Sequence, residues 1–284
     1  MSDPVIHVFN HHAMATQFQA RLAGEEPVYA AQAVQAAFAL TDELESQLSR
    51  FRANSDIAQI AQLMPGGQLR VSEPVFACLE IAKKMELATH GAFSITAAAL
   101  KTQPAPPQWS LLPGQFSVRC DRGRLEFDLG AIGKGFVLDR MAEVLREWDC
   151  PVFLLVAGGS SILAGDPPPG TPGWSCGLGD DRSPRRYWLK NCSLSGSGLA
   201  VQGQHILDPR TGAAEHQRDR AWVLADTAAE SDALSTAAMV LSEMEITGVA
   251  ADHPDWLFFL PGEKEPRVFG ARPLPSHDED TKPA

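Results

Sequence analysis

Apolar residues recur at helical spacing in three stretches of the chain. From Pro27 to Gln47 the stripe is Val28, Ala31, Val34, Phe38 and Leu44, continued by Leu48, and Pro27 suits a first turn. From Pro74 to His90, Val75, Leu79, Ala82 and Met85 share a face, with Gly91 placed to stop the helix. From Lys134 to Trp148 the stripe is Leu138, Met141, Leu145 and Trp148. A fourth helix is expected from Ala229 to Leu241 and a shorter one over 243–252. Strand candidates are short: RLEFDLG (124–130), which alternates Leu125, Phe127 and Leu129; the continuous apolar run VFLLVA (152–157); RRYWLKNCSL (185–194); AWVLAD (221–226); DWLFFL (255–260); and RVFG (267–270). Two segments rich in proline and glycine, 101–114 and 165–173, read as surface loops, and the polar tail 273–284 is expected to be disordered. No repeat of fixed period is present. Helices gather in the N-terminal third and strands come in pairs without a βαβ rhythm, which predicts an α+β fold, and the length allows one large domain or two small ones.

Composition narrows the function classes. The 284 residues are 44% hydrophobic and 21% charged, enough for a sizeable core and unlike a disordered chain. With 24 Lys+Arg against 35 Asp+Glu, the formal net charge is −11, which argues against nucleic acid or an anionic membrane as a partner. A phosphate would have to be met by a local device: a metal, a helix N-terminus or one placed lysine. No apolar run approaches the roughly 20 residues of a membrane span, so no transmembrane segment is expected. The N-terminus shows no signal-peptide pattern, so the expected location is cytoplasmic, or periplasmic if the chain is processed. The five cysteines are scattered and lack a C-x-x-C pair, which argues against a disulfide framework and a structural zinc site and for small buried hydrophobes.

Chemistry concentrates in a few segments. In FDLGAIGKGFVLDRMAEVL (127–145) a strand is expected to run through Gly130, Gly133 and Gly135 into a helix. Glycines admit close backbone approach, a helix start offers free N–H groups and positive potential, and Lys134 adds a full charge. The segment reads as a diphosphate cradle or as a tight connection; it is neither a Walker A loop nor G-x-G-x-x-G. In ESDALSTAAMVL (230–241), Asp232 and Thr236 are i and i+4 on one helix face, a hard-oxygen pair suited to Mg²⁺. The alternative has Asp232 in a first helical turn and Thr236 bonded back to the i−4 carbonyl. In GQHILDPRTGAA (203–214), His205 precedes a turn and is a candidate general base or a structural histidine. THGAFSITAAAL (89–100) permits close approach at Gly91 and Ala92. LLVAGGSSILAGD (154–166) runs a buried strand into two glycines without a nucleophile elbow.

Order and combination say more than any segment alone. HAMATQF (12–18), LSRFRANSDIAQI (48–60), GAFSIT (91–96), DLGAIGKGFVLD (128–139), AGGSSILAGD (157–166), SLSGSG (193–198), HILDPRTG (205–212) and SDALSTA (231–237) together closely resemble the FAD:protein FMN transferase family, known as ApbE. The resemblance spans about residues 7 to 260, and DLGAIGKG, HILDPRTG and SDALSTA are its most specific parts. It implies an ApbE-type α+β fold of T-fold-like sheets with packed helices, in a single domain over 1–272. It also implies a Mg²⁺-dependent enzyme that cleaves FAD, transfers FMN to a Thr or Ser of a target flavoprotein and releases AMP. Hydrolysis of FAD to FMN and AMP, or flavin binding with little turnover, are the alternatives.

Carried over by position, Asp232, Thr236 and the Ala131 carbonyl would hold Mg²⁺. Asp128 and Lys134 would contact FAD. Met14, Phe51, Ala92, Phe93 and Ser94 would line the flavin and adenosine sites. His205 and Ile206 would sit beside the pyrophosphate, His205 as candidate base and Asp232 as the second catalytic group. The chain departs from the family pattern at Ser94 (usually Asp), Leu194 (usually Thr), Ala15 (usually Gly) and Gly133 (usually Ala), and the signal-peptide pattern expected of exported relatives is not seen in its first residues.

Overall fold

The protein is described by a computed structural model over residues 5–103, 105–178, 186–198, 207–214 and 217–276. The chain opens with the hairpin β1 (Ile6–Ala13) and β2 (Thr16–Ala23), followed by helices α1 (Pro27–Leu48) and α2 (Asp56–Ile60). Then come β3 (Gln68–Arg70), α3 (Glu73–Ala88), β4 (Gln108–Leu112), β5 (Ser117–Arg122) and α4 (Gly133–Glu147). The strands β6 (Phe153–Ala157), β7 (Ser161–Ala164), β8 (Trp174–Gly177), β9 (Arg186–Leu189), β10 (Cys192–Gly198) and β11 (Arg220–Ala225) follow. Helices α5 (Ala228–Val240) and α6 (Glu243–Asp252) and strands β12 (Leu257–Leu260) and β13 (Arg267–Phe269) close the described chain. The central sheet has eight strands in the order β1-β2-β6-β7-β10-β11-β12-β13, every pair antiparallel. A three-stranded sheet β3-β5-β4 and the hairpin β8-β9 complete the described architecture.

Period-two alternation gives the large sheet two apolar faces. Phe18, Ala20 and Leu22, with Phe153, Leu155, Val223 and Phe258, face a core shared with α1, α3, α4 and α5. Leu154, Leu194, Trp222, Leu224, Leu257 and Phe259 face the opposite side, covered by Trp174, Cys176, Tyr187 and Leu189 of β8 and β9. All five cysteines are buried and unpaired. Among the described residues no helix is long and apolar enough to cross a membrane.

The five expected helices form, each within about two residues of its expected bounds. In α1, however, Val28 is exposed, and the small residues Ala30, Ala33 and Ala37 carry the buried face alongside Val34, Phe38 and Leu44. Gly91 adopts φ +80° and donates its N–H to the Glu86 carbonyl at 2.8 Å, closing the end of α3.

Three expectations are corrected. Residues 124–129 are extended but form no ladder: Leu125, Phe127 and Leu129 do alternate inward, yet the backbone bonds to Ile95 and to the Gln103 side chain instead. RRYWLKNCSL is two strands, broken where Asn191 takes φ +46°. The 101–114 loop contains β4, an edge strand whose ladder begins after Pro107 and ends before Pro113, so neither proline interrupts it. The 165–173 segment is a loop, as expected. Of the tail, residues 273–276 are described, and the Ser276 carbonyl accepts the Trp188 N–H at 2.8 Å.

Candidate functional site

The N-terminus of α4 meets the middle of α5 beside the β6–β7 turn. Asp232, on α5 and almost fully buried, is the hub. Its Oδ2 accepts the Gly135 N–H at 3.1 Å, and its Oδ1 accepts the Ser161 hydroxyl at 2.7 Å. The Lys134 ammonium lies 3.5 Å from Oδ2. Gly135 is in the first turn of α4, where N–H groups lack an intrahelical acceptor, so Asp232 also caps that helix. The approach depends on glycine: a Cβ at position 135 would overlap the Ala228 carbonyl.

Lys134 also donates to the Gly130 carbonyl at 3.2 Å, and the Gly130 N–H donates to Asp128 Oδ1 at 2.9 Å. The other Asp128 oxygen pairs with Arg50 at 2.8 Å. Asp128, Lys134 and Asp232 therefore form one connected cluster. Thr236 joins it one turn along α5. Its hydroxyl donates back to the Asp232 carbonyl at 3.3 Å and lies 3.2 Å from the Ser197 hydroxyl. The back-bond weighed as an alternative for Thr236 is thus present, alongside the shared face with Asp232.

The site's rim comes from three loops. Met14 and Ala15 form the two-residue turn between β1 and β2, both with positive φ (51° and 56°), as a type I′ turn requires. The Met14 methyl lies over Gly133, 3.2 Å from where a Cβ would stand. Gly158, in the β6–β7 turn, sits against the Thr16 hydroxyl and the aliphatic stem of Lys134. Phe51 is 85% exposed, with the Arg50 guanidinium 4.8 Å from its ring centre, so it packs in no core.

The segment 91–96 is tied in through the Asp128 N–H, which donates to the Ile95 carbonyl at 2.7 Å. Within it, Ala92 and Phe93 are buried in the main core. Ser94 is half-buried and donates to Glu86 at 3.1 Å, with Thr96 at 2.9 Å. His205 and Ile206 lie outside the described residues. Just beyond them, Asp208 and Arg210 pair bidentately, and Arg210 reaches Glu245 of α6 at 2.6 Å. The Arg210 hydrogen bonds hold the Asp208 carboxyl below the usual carboxylate range.

Four residues outside the sequence-derived set help build the site: Arg50, Ser161, Ser197 and Asp139. Asp139 accepts the N–H groups of Ala228 and Ala229 and so caps α5. Burial pushes its carboxyl up to about 7, against the pull of those two N–H groups. The DLGAIGKGFVLD motif flags Asp139, but spacing alone does not reveal that its partner is the helix start some 90 residues on.

Among the described residues no three His, Cys, Asp or Glu side chains converge as a metal cage. A cation here would use mixed hard-oxygen donors: the Asp232 carboxylate, the Thr236 hydroxyl and the Ala131 carbonyl. Ala131 precedes the α4 N-cap, Ile132, so its carbonyl stands outside the helical ladder. Each Asp232 oxygen has one hydrogen-bond donor and a further lone pair. The donor chemistry fits Mg²⁺.

The ApbE family model matches residues 14–258. The chain belongs to the ApbE family. Among its ApbE relatives, an FAD:protein FMN transferase of Klebsiella pneumoniae (strain 342) is 23% identical over 272 residues, covering 83% of each chain. One of Haemophilus influenzae is 25% identical over 253 residues, covering 74% of this chain and 70% of its own. The apo form of Pseudomonas stutzeri flavinyl transferase ApbE superposes with TM-score 0.78 at 18% identity, covering 94% of this chain and 95% of its own. The ApbE protein of Thermotoga maritima gives 0.76 at 21% identity, covering 94% and 97%. At these identities the structural matches establish the fold, the ApbE-type α+β architecture that the motifs imply.

Proposed function

We propose that this ApbE-family protein transfers FMN from FAD to a Thr or Ser hydroxyl of a target flavoprotein and releases AMP. The observation that carries the proposal is the position of Lys134. Its ammonium lies between the Gly130 carbonyl and the Asp232 carboxylate, at 3.2 and 3.5 Å, at the opening of α4. That joins the glycine-laced turn and the α5 carboxylate in a single site.

In this reading the FAD diphosphate lies against the 130–134 turn, where Lys134 and the α4 N-terminus offset its charge. Asp232, Thr236 and the Ala131 carbonyl would hold Mg²⁺, which supplies Lewis-acid stabilisation of the phosphorus under attack. Asp128, fixed by Gly130 and Arg50, orients the turn. Met14 and the exposed Phe51 ring offer apolar surface for the flavin or adenine. The acceptor hydroxyl forms a bond to the FMN-side phosphorus while the P–O bond to AMP breaks, and the hydroxyl proton passes to a base, for which His205 is the candidate. Phosphoryl transfer rests on positioning and electrostatics, so few side chains are needed.

The test is to incubate the protein with FAD, Mg²⁺ and a candidate acceptor flavoprotein and weigh the acceptor by mass spectrometry. An acceptor heavier by one FMN less one water, with one AMP released per adduct, is expected. AMP and FMN appearing without an adduct would replace this reading with FAD hydrolysis.

A further inference from the structure

The β6–β7 hairpin touches the site twice. At Gly158 a Cβ would stand 3.7 Å from the Lys134 stem, and three residues later Ser161 opens β7. Ser161 is fully buried, and its hydroxyl donates to Asp232 Oδ1 at 2.7 Å. A bond this short to a carboxylate is of the strong, charge-assisted kind. The Gly135 N–H holds the other oxygen, so the carboxylate plane is pinned from both sides, by a strand and by a helix start. Neither donor can easily move: Ser161 is paired in the ladder to Ala157 on β6 and to Ser195 on β10, and Gly135 is locked against Ala228.

We propose that Ser161 is a positioning residue for the cation held by Asp232, setting the carboxylate plane so that its free lone pairs face the Thr236 side of α5. This rests on the cation site of the proposed function. Without Ser161, Oδ1 loses its only side-chain donor among the described residues and the carboxylate is free to turn about the remaining Gly135 bond. Outer-shell partners of this kind typically govern metal affinity by about 10–100-fold. Neighbouring hydroxyls serve other ends: Ser193 and Ser195 bond Ser231, at 2.7 and 2.8 Å, and tie β10 to α5.

The experiment is Mn²⁺ binding followed by electron paramagnetic resonance on the FAD-free protein, comparing wild type with Ser161→Ala, Ser161→Thr and Asp232→Ala. The thermal midpoint of each metal-free variant verifies its fold. Ser161→Ala is expected to weaken Mn²⁺ binding by about 10–100-fold, Ser161→Thr to recover most of it, and Asp232→Ala to abolish it. In turnover, the Mg²⁺ concentration for half-maximal rate rises with Ser161→Ala by the same factor. Wild-type affinity in Ser161→Ala, together with lost binding in Asp232→Ala, overturns the role of Ser161 and leaves the cation site standing. Wild-type affinity in Asp232→Ala overturns the site and this role with it.

Discussion

Lys134 carries the positive charge at the centre of an acidic protein's site, with its ammonium shared by a backbone carbonyl and a buried carboxylate. Replacing it with methionine keeps an aliphatic stem of similar length and removes the charge. Steady-state kinetics are expected to show turnover falling by about 10²–10³-fold, the scale for losing one preorganised electrostatic donor. The unfolding free energy should fall as well, because the buried Asp232 carboxylate loses its cation and keeps only the Gly135 and Ser161 hydrogen bonds. A second residue-scale expectation concerns Ala15, held at φ 56° in the β1–β2 turn. Left-handed backbone costs a non-glycine residue about 1–2 kcal/mol, while glycine adds unfolded-state entropy of about 0.4–1 kcal/mol. Ala15→Gly should therefore raise stability by about 0.5–1 kcal/mol in urea unfolding. At this scale the sequence is informative where partners are local. Asp232 and Thr236 are four apart on a helix, and Asp128, Gly130 and Lys134 sit in one turn. Ser161 is 71 positions from Asp232 and Arg50 is 78 from Asp128. No periodicity joins such residues, so only the folded chain reveals them.

The crossing of α4 and α5 is the element-scale feature on which the site depends. Gly135 lets the two backbones meet, and Asp139, one turn further along α4 on the same face, caps α5 from outside. Gly135→Ala would drive the helices apart and break the Gly135–Asp232 bond. Overpacking of this kind costs about 1–3 kcal/mol, and urea denaturation should show a loss at least that large, with FAD turnover lost alongside. Helices were legible in the sequence because their stripes span several turns. Strands were harder for identifiable reasons. The β1–β2 hairpin has a polar, exposed edge strand and a turn, Met14-Ala15, without the usual Asn or Gly. Residues 124–129 carry a strand's alternation, but their hydrogen bonds go to a loop and a side chain rather than to a neighbouring strand.

For the whole molecule, a net charge of −11 makes the arginine pairings at the surface matter to acid stability. Asp208 is held below the usual carboxylate range by Arg210, and Glu245 by the Ser242 N–H and hydroxyl and by Arg210. Carboxyls with depressed folded pKa values stabilise the protein above their unfolded values, near pH 4, and lose that contribution as pH falls through the folded values. The thermal midpoint is expected to fall below about pH 4, and Arg210→Met should flatten that fall. The same network ties residues 208–210 to α6. The central claim is that one site, bounded by the α4 turn and the α5 carboxylate, holds the FAD diphosphate. A crystal structure of the protein with FAD and Mg²⁺ tests it directly. The account predicts diphosphate oxygens within hydrogen-bond reach of Lys134 Nζ and a cation on Asp232 and Thr236. A diphosphate bound elsewhere, or a cation on other residues, would contradict it.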